Sequence, residues 1–408
     1  MNKLWGGMLL GSFAAALWQW LVEGNTLIFS ALMNSIFEMA ALSIEIAIGL
    51  IGLLCFWMGV LKLAEASGGL NFFARALEPL FAKLMPEVPR GHPAFGHITM
   101  NMAANIFGLD NAATPAGIKA MQSLQLINSQ KDTASNAQIL FLVLNTSAIS
   151  LFPVTIMMYR AQQGAANPAD VFIPILLATS CATLAGLLAV AWIQRINLFN
   201  KVIAGYVLGA ITILGMLIWW FAQLPSDELT EMSSFIGNGL LITAIMGFVA
   251  LAWYRKVAIY EQFIEGAKQG FDLAVTIMPY LVAMLVAVGL LRSSGLLDLL
   301  INGVASLIGM LGFDTKFTEA LPTGLMRPFS GSGARAMMLE TMNQYGVDSF
   351  SARLAAVFQG STETTFYVLA VYFGAVNIRR LRHAIACGVF ADIAGIVAAI
   401  VIAYWFFA

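Results

Sequence analysis

The chain has 408 residues, 60% of them hydrophobic and 11% charged, with a net charge of −1 and a mean hydropathy of +0.82. A soluble globular domain carries about 25% charged residues, so a water-soluble fold is excluded, and the near-neutral balance argues against nucleic acid as a partner. What remains is an all-α polytopic membrane protein, in which lipid is the solvent for most side chains.

In chain order, apolar runs of about 20 residues, the length that crosses a bilayer, occupy 4–21, 43–63, 171–193, 202–221, 235–253, 273–291 and 384–407. Met1-Asn2-Lys3-Leu4-Trp5 and the run behind it have the look of a signal peptide, but the repeat described below needs them as a retained helix. Amphipathic stretches at 26–41, 75–83 and 256–269 are expected to lie along the membrane surface. Two regions, about 92–163 and 318–378, are apolar yet interrupted by Gly, Pro, Asn, Ser and Thr. They are predicted as short helical pieces, which membrane depth tolerates only where they are buried in protein or line a cavity. Cys55, Cys181 and Cys387 fall in apolar helices at no metal-ligand spacing and are read as packing residues.

Basic residues collect on cytoplasmic loops. Lys62, Arg75, Lys83 and Arg90 form one cluster, Arg195 and Lys201 a second, Arg255, Lys256 and Lys268 a third, and Arg379, Arg380 and Arg382 a fourth. The loop 223–231 instead holds Asp227, Glu228 and Glu231 with no Lys or Arg. This pattern places the N-terminus inside and the C-terminus outside a cytoplasmic (inner) membrane, with lipid as the surrounding partner.

An internal repeat organises the chain. Residues 37–47 align without gaps to 264–274, pairing Glu38 with Glu265, and the same register pairs Ser67-Gly68 with Ser294-Gly295. Further on, 107–112 matches 329–334, and 145–154 matches 359–368. The units are expected at 1–195 and 235–408, joined by a transmembrane helix and loop at 196–234 that supplies the odd crossing. The second unit would then be inverted, with helical hairpins and broken helices in each half, which is an architecture of secondary transporters.

Candidate chemistry lies in the interrupted regions. Asn101 and Asn105, four apart, share a helix face. Gly108 is expected to end that helix, Asp110 or Asn111 to cap the next, and Pro115 to sit in its first turn. The counterpart is Arg327-Pro328-Phe329-Ser330-Gly331-Ser332-Gly333, where backbone amides can converge on negative charge, flanked by Arg335. A bland reading, a capped turn with Arg327 paired to Asp110 or Glu363, stays open beside binding of an anionic substrate.

The residue that stands out most is Glu363, a carboxylate in an apolar chain among Gln359, Ser361, Thr362, Thr364 and Thr365. An acid at membrane depth is costly and usually functional. Its repeat partner segment carries Asn145 and Ser147, with Ile149 at the position matching Glu363. His92, His97 and His383 are scattered, and no nucleophile–base set or nucleotide loop is present in the sequence. No enzyme activity and no cofactor are expected.

At these residues the first half resembles spore maturation protein A, in Phe56-Trp57, Glu65-Ala66-Ser67-Gly68, Pro86 to Pro89, Asn105 to Gly108, Asn111 to Pro115 and Asn145-Thr146-Ser147. The second half resembles spore maturation protein B, in 325–334, Tyr345-Gly346, 359–367 and 371–375. Both resemble the broader Gate, or nucleoside-recognition, group shared with concentrative nucleoside transporters and ferrous iron transporters. That resemblance implies transport. The nucleobase-contacting Gly-Gln-Thr-Glu-Ala-Pro motif of nucleoside transporters is matched at Gly360, Thr362 and Glu363, but Ser361 and Thr365 replace its Gln and Pro.

The resulting expectation is an ion-coupled secondary transporter of a small polar or anionic solute, a nucleoside-like compound among the candidates, with its site between the repeats. Glu363, Thr362, Ser361, Gln359, Thr364, Asn145, Ser147, Asn105, Asn111, Arg327, Ser330 and Ser332 would bind the solute, and Asp110 and Glu363 would couple it to Na⁺ or H⁺. The competing expectation is a non-transporting membrane protein that supports envelope or spore maturation. Homo-oligomer formation is left open.

Overall fold

The computed structural model describes residues 2–107, 110–147 and 149–408, and among them the chain is helical apart from loops and an isolated bridge between Thr133 and Arg380. It opens with α1 (Asn2–Glu23) and α2 (Ile28–Ala66), then a surface helix, α3 (Gly69–Leu84). Four short helices follow: α4 (Pro93–Ile106), α5 (Asp110–Ile127), α6 (Asn136–Thr146) and α7 (Val154–Gln162). Next come α8 (Phe172–Gln194), α9 (Lys201–Phe221), α10 (Ser226–Tyr254), α11 (Ile259–Ser293) and another surface helix, α12 (Leu296–Met310). Short pieces return as α13 (Leu321–Met326), α14 (Gly331–Tyr345), α15 (Phe350–Ser361) and α16 (Thr365–Gly374), before α17 (Ala384–Phe407). The chain is a multi-pass all-α membrane protein: α2, α8, α9, α10, α11 and α17 are each long and apolar enough to cross a bilayer.

Residues 4–21 form most of α1, and one expectation about the amphipathic stretches needs correction. The stretches 26–41 and 256–269 are not separate surface helices; they are the first turns of α2 and α11. Nothing at 40–43 or 269–272 stops a helix, and extending one costs far less than nucleating another. At 39 residues α2 is roughly 58 Å long, well beyond the hydrocarbon thickness of about 30 Å.

Helices α2 and α11 pack antiparallel along their length. A Cβ on Gly270 would lie 2.5 Å from the Leu54 carbonyl oxygen, one on Gly266 would collide with the Met58 carbonyl, and Gly289 faces Ser35 and Met39. The Gly266-x-x-x-Gly270 spacing lets the two backbones touch, the small-residue route to helix association in lipid. Ser67-Gly68 and Ser294-Gly295, matched in sequence, occupy the same place. Each ends a long helix and turns into a surface helix through a left-handed glycine, at φ 67° and 69°.

Each unit carries its broken helices on such a frame. Helices α8 and α17 pack against each other beside the short pieces, contributing Gly186, Gly388 and Gly395 at the closest approaches. Cys387 is buried and Cys55 half-buried as packing predicts, whereas Cys181 is exposed on the surface of α8.

Candidate functional site

The short helices meet in the middle of the fold. Helix α6 ends at Thr146 and α7 begins at Val154, while α15 ends at Ser361 and α16 begins at Thr365. The described residues between each pair are non-helical, and Thr362 is fully extended at φ −146°, ψ 175°. The two breaks touch through backbone: the Glu363 N–H donates to the Thr146 carbonyl at 2.7 Å. A half of the molecule therefore supplies the hydrogen-bond partner that the other half lost when its helix was interrupted.

The breaks are built alike. The Phe152 N–H donates to the Ile106 carbonyl at 3.3 Å, and the Phe366 N–H donates to the Pro328 carbonyl at 3.0 Å. Phe107 stacks on Phe152 with centroids 5.3 Å apart, and Phe329 stacks on Phe366 at 4.9 Å. These four residues and two carbonyls occupy equivalent positions in the sequence alignment of the two units.

Their chemistry differs. In the second unit Arg327 is buried; its Nε donates to the Thr362 carbonyl at 2.7 Å and its Nη2 lies 3.1 Å from Glu363 Oε2. The pairing left open by sequence is thus between Arg327 and Glu363. Ser330 caps α14 by accepting from the Gly333 N–H at 2.9 Å, and its hydroxyl lies 3.3 Å from that of Ser332. A side chain on Gly331 would strike Thr364 Oγ1 and approach Arg327, so this cap lies against the Glu363 break. Arg327, Glu363, Thr362, Thr364, Ser330 and Ser332 are brought together, with Gln359 beside them. Ser361 turns away, donating to the Phe358 carbonyl of its own helix.

In the first unit Asn105 Nδ2 donates to Asn145 Oδ1 at 2.8 Å, and Asn101 donates to the Ala113 carbonyl and the Tyr372 hydroxyl. Asn105 and Asn145 therefore form an amide network on the far side of the Thr146–Glu363 contact, joined to α16 through Tyr372 and satisfied largely by protein. Ser147 donates to the Val143 carbonyl, and its own carbonyl accepts from Thr183 of α8. Gly108 and the side chains of Asp110 and Asn111 lie outside the described residues. Helix α5 starts at Asp110, so Pro115 falls past the first turn rather than within it.

One residue of this cluster escaped sequence reading. Asp392, on α17, is 2% exposed and accepts from Thr365 Oγ1 at 3.0 Å, while its Oδ2 has no partner among the described residues. Its signal was available: an acid inside a span is as costly as Glu363. Gly388 and Gly395, four and three residues to either side, let that face of α17 approach Thr365 and Thr362.

A small cavity reaches this cluster, and a larger one adjoins it. The larger, about 640 Å³, lies between α2, α4, α5, α7 and α11, with Lys62, Glu65, His97, Lys119, Tyr159 and Arg335 as its charged or titratable lining. The smaller, about 70 Å³, is lined by Arg327, Arg335, Gln359 and Glu363. Val154, Thr155, Tyr159 and Arg335 border both. At the opposite end stands a buried ion cluster that the sequence did not suggest. Arg160 and Asp170, both fully buried, pair at 2.9 Å, Arg353 Nε lies 2.8 Å from Asp170, and Asp348 lies 3.2 Å from Arg160.

Comparison with known proteins agrees with this twofold construction. Spore maturation protein B of Bacillus subtilis (strain 168) is 42% identical over 172 residues, which is 42% of this chain and 95% of that protein. Spore maturation protein A of the same organism is 44% identical over 146 residues, 36% of this chain and 74% of that protein. The Gate model, described as nucleoside recognition, matches residues 47–162 and again 274–379, beginning at the same separation as Glu38 and Glu265. Together the two matches span more than half of the sequence, and the chain belongs to the Gate family.

Proposed function

We propose that the chain is an ion-coupled secondary transporter of the cytoplasmic membrane, moving a small polar or anionic solute through a site between two inverted units. The observation that carries this reading is the contact of two helix breaks, Glu363 N–H to Thr146 carbonyl, beside a small cavity lined by Glu363 that adjoins one of about 640 Å³. Broken helices spend backbone hydrogen bonds, and a protein that only scaffolds has no use for the polar groups they free.

Inverted topology is favoured by the antiparallel run of α2 and α11, which align in sequence, and by the ties at either end. The loop between α5 and α6 is joined to the end of α16, where the Arg379 and Arg380 N–H groups both donate to the Asp132 carbonyl at 2.9 Å. The loop between α14 and α15 is joined to the end of α7, where Arg160 donates to the Val347 carbonyl and pairs with Asp348. Each unit thus holds the far end of the other's broken helix. With basic loops inside, the larger cavity opens toward Lys62 and Lys119 on the cytoplasmic side, and the Arg160–Asp170–Arg353–Asp348 cluster closes the outside.

In this reading Arg327, Glu363, Thr362, Thr364, Gln359, Ser330 and Ser332 face the solute, and Asn105 and Asn145 hold the first break in place. Glu363 and the buried Asp392 are the acids placed to exchange a proton or hold Na⁺. The family's description as nucleoside recognition makes nucleoside-like solutes one arm of the test. Purified protein in proteoliposomes should accumulate at least one solute from a panel of nucleosides, carboxylates and phosphate esters under an imposed pH or Na⁺ gradient, and Glu363→Gln should reduce that uptake. No gradient-driven uptake of any member would favour the competing role in envelope or spore maturation.

A further inference from the structure

Arg335 and Lys119 are the basic residues of the two cavities that lack an ion pair among the described residues, and of these only Arg335 borders both cavities. Arg327 is neutralised by Glu363, and Lys62 pairs with Glu65 and Glu265 at 3.3 and 3.5 Å. Arg335 makes no ion pair among the described residues. Its guanidinium lies over the Tyr159 ring, 5.2 Å from the centroid, and its Nε is buried with no hydrogen-bond partner among the described residues. The aligned position in the first unit is Ala113, so the charge is not part of the shared frame. The Tyr159 hydroxyl also takes a hydrogen bond from Arg335, and the remaining donors of its fork are left for a planar acid group.

A second orphan lies beside it. Gln359 is 5% exposed, lines the same small cavity, and its Oε1 has no partner among the described residues. Buried polar atoms left unpaired cost free energy until something fills them. At about 70 Å³ the small cavity has room for an acid group but not for a whole solute. The adjoining cavity of about 640 Å³ presents Trp57, Phe107, Met100 and Met158, surfaces suited to an apolar body.

We infer that the two cavities form one binding site for an organic anion, its carboxylate or phosphate between Arg335 and Gln359 and its apolar part in the larger cavity. This rests on the transporter reading for its purpose, but binding is measurable without transport. The test uses full-length protein in nanodiscs of zwitterionic lipid, titrated with benzoate and phenyl phosphate, and with benzamide and adenosine as uncharged counterparts. The anions should raise the melting temperature of the wild-type protein, and Arg335→Gln should weaken their binding about tenfold or more while leaving the uncharged compounds unchanged. Arg335→Lys should recover part of it.

Should Arg335→Gln fail to fold, phenylglyoxal modification of the wild type serves instead, with the Arg335 peptide followed by mass spectrometry. Benzoate or phenyl phosphate should protect Arg335, and benzamide should not. Equal effects of charged and uncharged probes would overturn the inference. So would anion binding abolished by anionic lipid in the nanodisc, which would make a lipid headgroup the occupant. Anion binding without any gradient-driven uptake would sink the transporter reading alone; uptake of an uncharged solute, indifferent to Arg335→Gln and to the anions, would sink this inference alone.

Discussion

Arg327 and Glu363 illustrate how much of the site a charge in an apolar sequence announces. Glu363 was conspicuous because an acid at membrane depth must be paired or used, and the structure pairs it with a buried arginine at 3.1 Å. Removing one member leaves the other's charge poorly solvated. Glu363→Gln should therefore lower stability in detergent by about 1–3 kcal/mol, and the double variant Arg327→Met, Glu363→Leu should recover part of that loss in thermal melts. If Glu363→Gln melts like the wild type, the pair is not holding the break. Asp392 carried the same sequence signal but stood alone in a clean span, without the hydroxyl and amide neighbours that made Glu363 stand out. The partners of Asn105 and Asn145 were not legible at all, because hydrogen bonds between residues forty apart depend on how the hairpins fold back.

Among the elements, the paired frame helices and the stacked phenylalanines make separable predictions. Gly270→Ala places a methyl carbon against the Leu54 carbonyl, and backbone on a packed helix has nowhere to go. It should cost about 1–3 kcal/mol, as overpacking does, whereas Gly303→Ala on α12, with nothing within 4 Å, should be neutral or slightly stabilising. Thermal unfolding of the two variants side by side measures the difference; equal melting temperatures would mean that the α2–α11 contact yields to an added methyl group. The stacks differ in burial: Phe107 is 4% exposed and Phe329 is 50% exposed. Phe107→Ala should cost about 3–5 kcal/mol and Phe329→Ala clearly less, despite their equivalent places in the repeat. Helix existence and the interrupted regions were readable from composition. The merging of 26–41 into α2 was not, because amphipathic pattern says which face is polar and not whether that face meets headgroups or another helix.

The whole molecule is held as two units tied at both ends, and the ties are unequal. Arg160 and Asp170 are fully buried, so Asp170→Asn leaves Arg160 with the partly exposed Asp348 as its one acidic partner among the described residues, and a loss on the order of 3–5 kcal/mol is expected. The Arg380–Asp132 pair is exposed, and Asp132→Asn should change stability by no more than about 1 kcal/mol. Orientation is tested by single cysteines in a Cys-free background. Ser129→Cys should react with a membrane-impermeant maleimide only from the cytoplasmic side and Gln344→Cys only from outside, both positions being exposed, and labelling of both from one side would overturn the inverted arrangement. Composition by itself determined the membrane class, because a chain 60% hydrophobic and 11% charged has too few charged groups to cover its surface in water, and periodic similarity alone located the repeat. Which residues meet was decided only by tertiary structure. Arg335 faces Tyr159 rather than an acid, and Asp392 faces Thr365, because each contact joins helices whose relative placement no local pattern encodes.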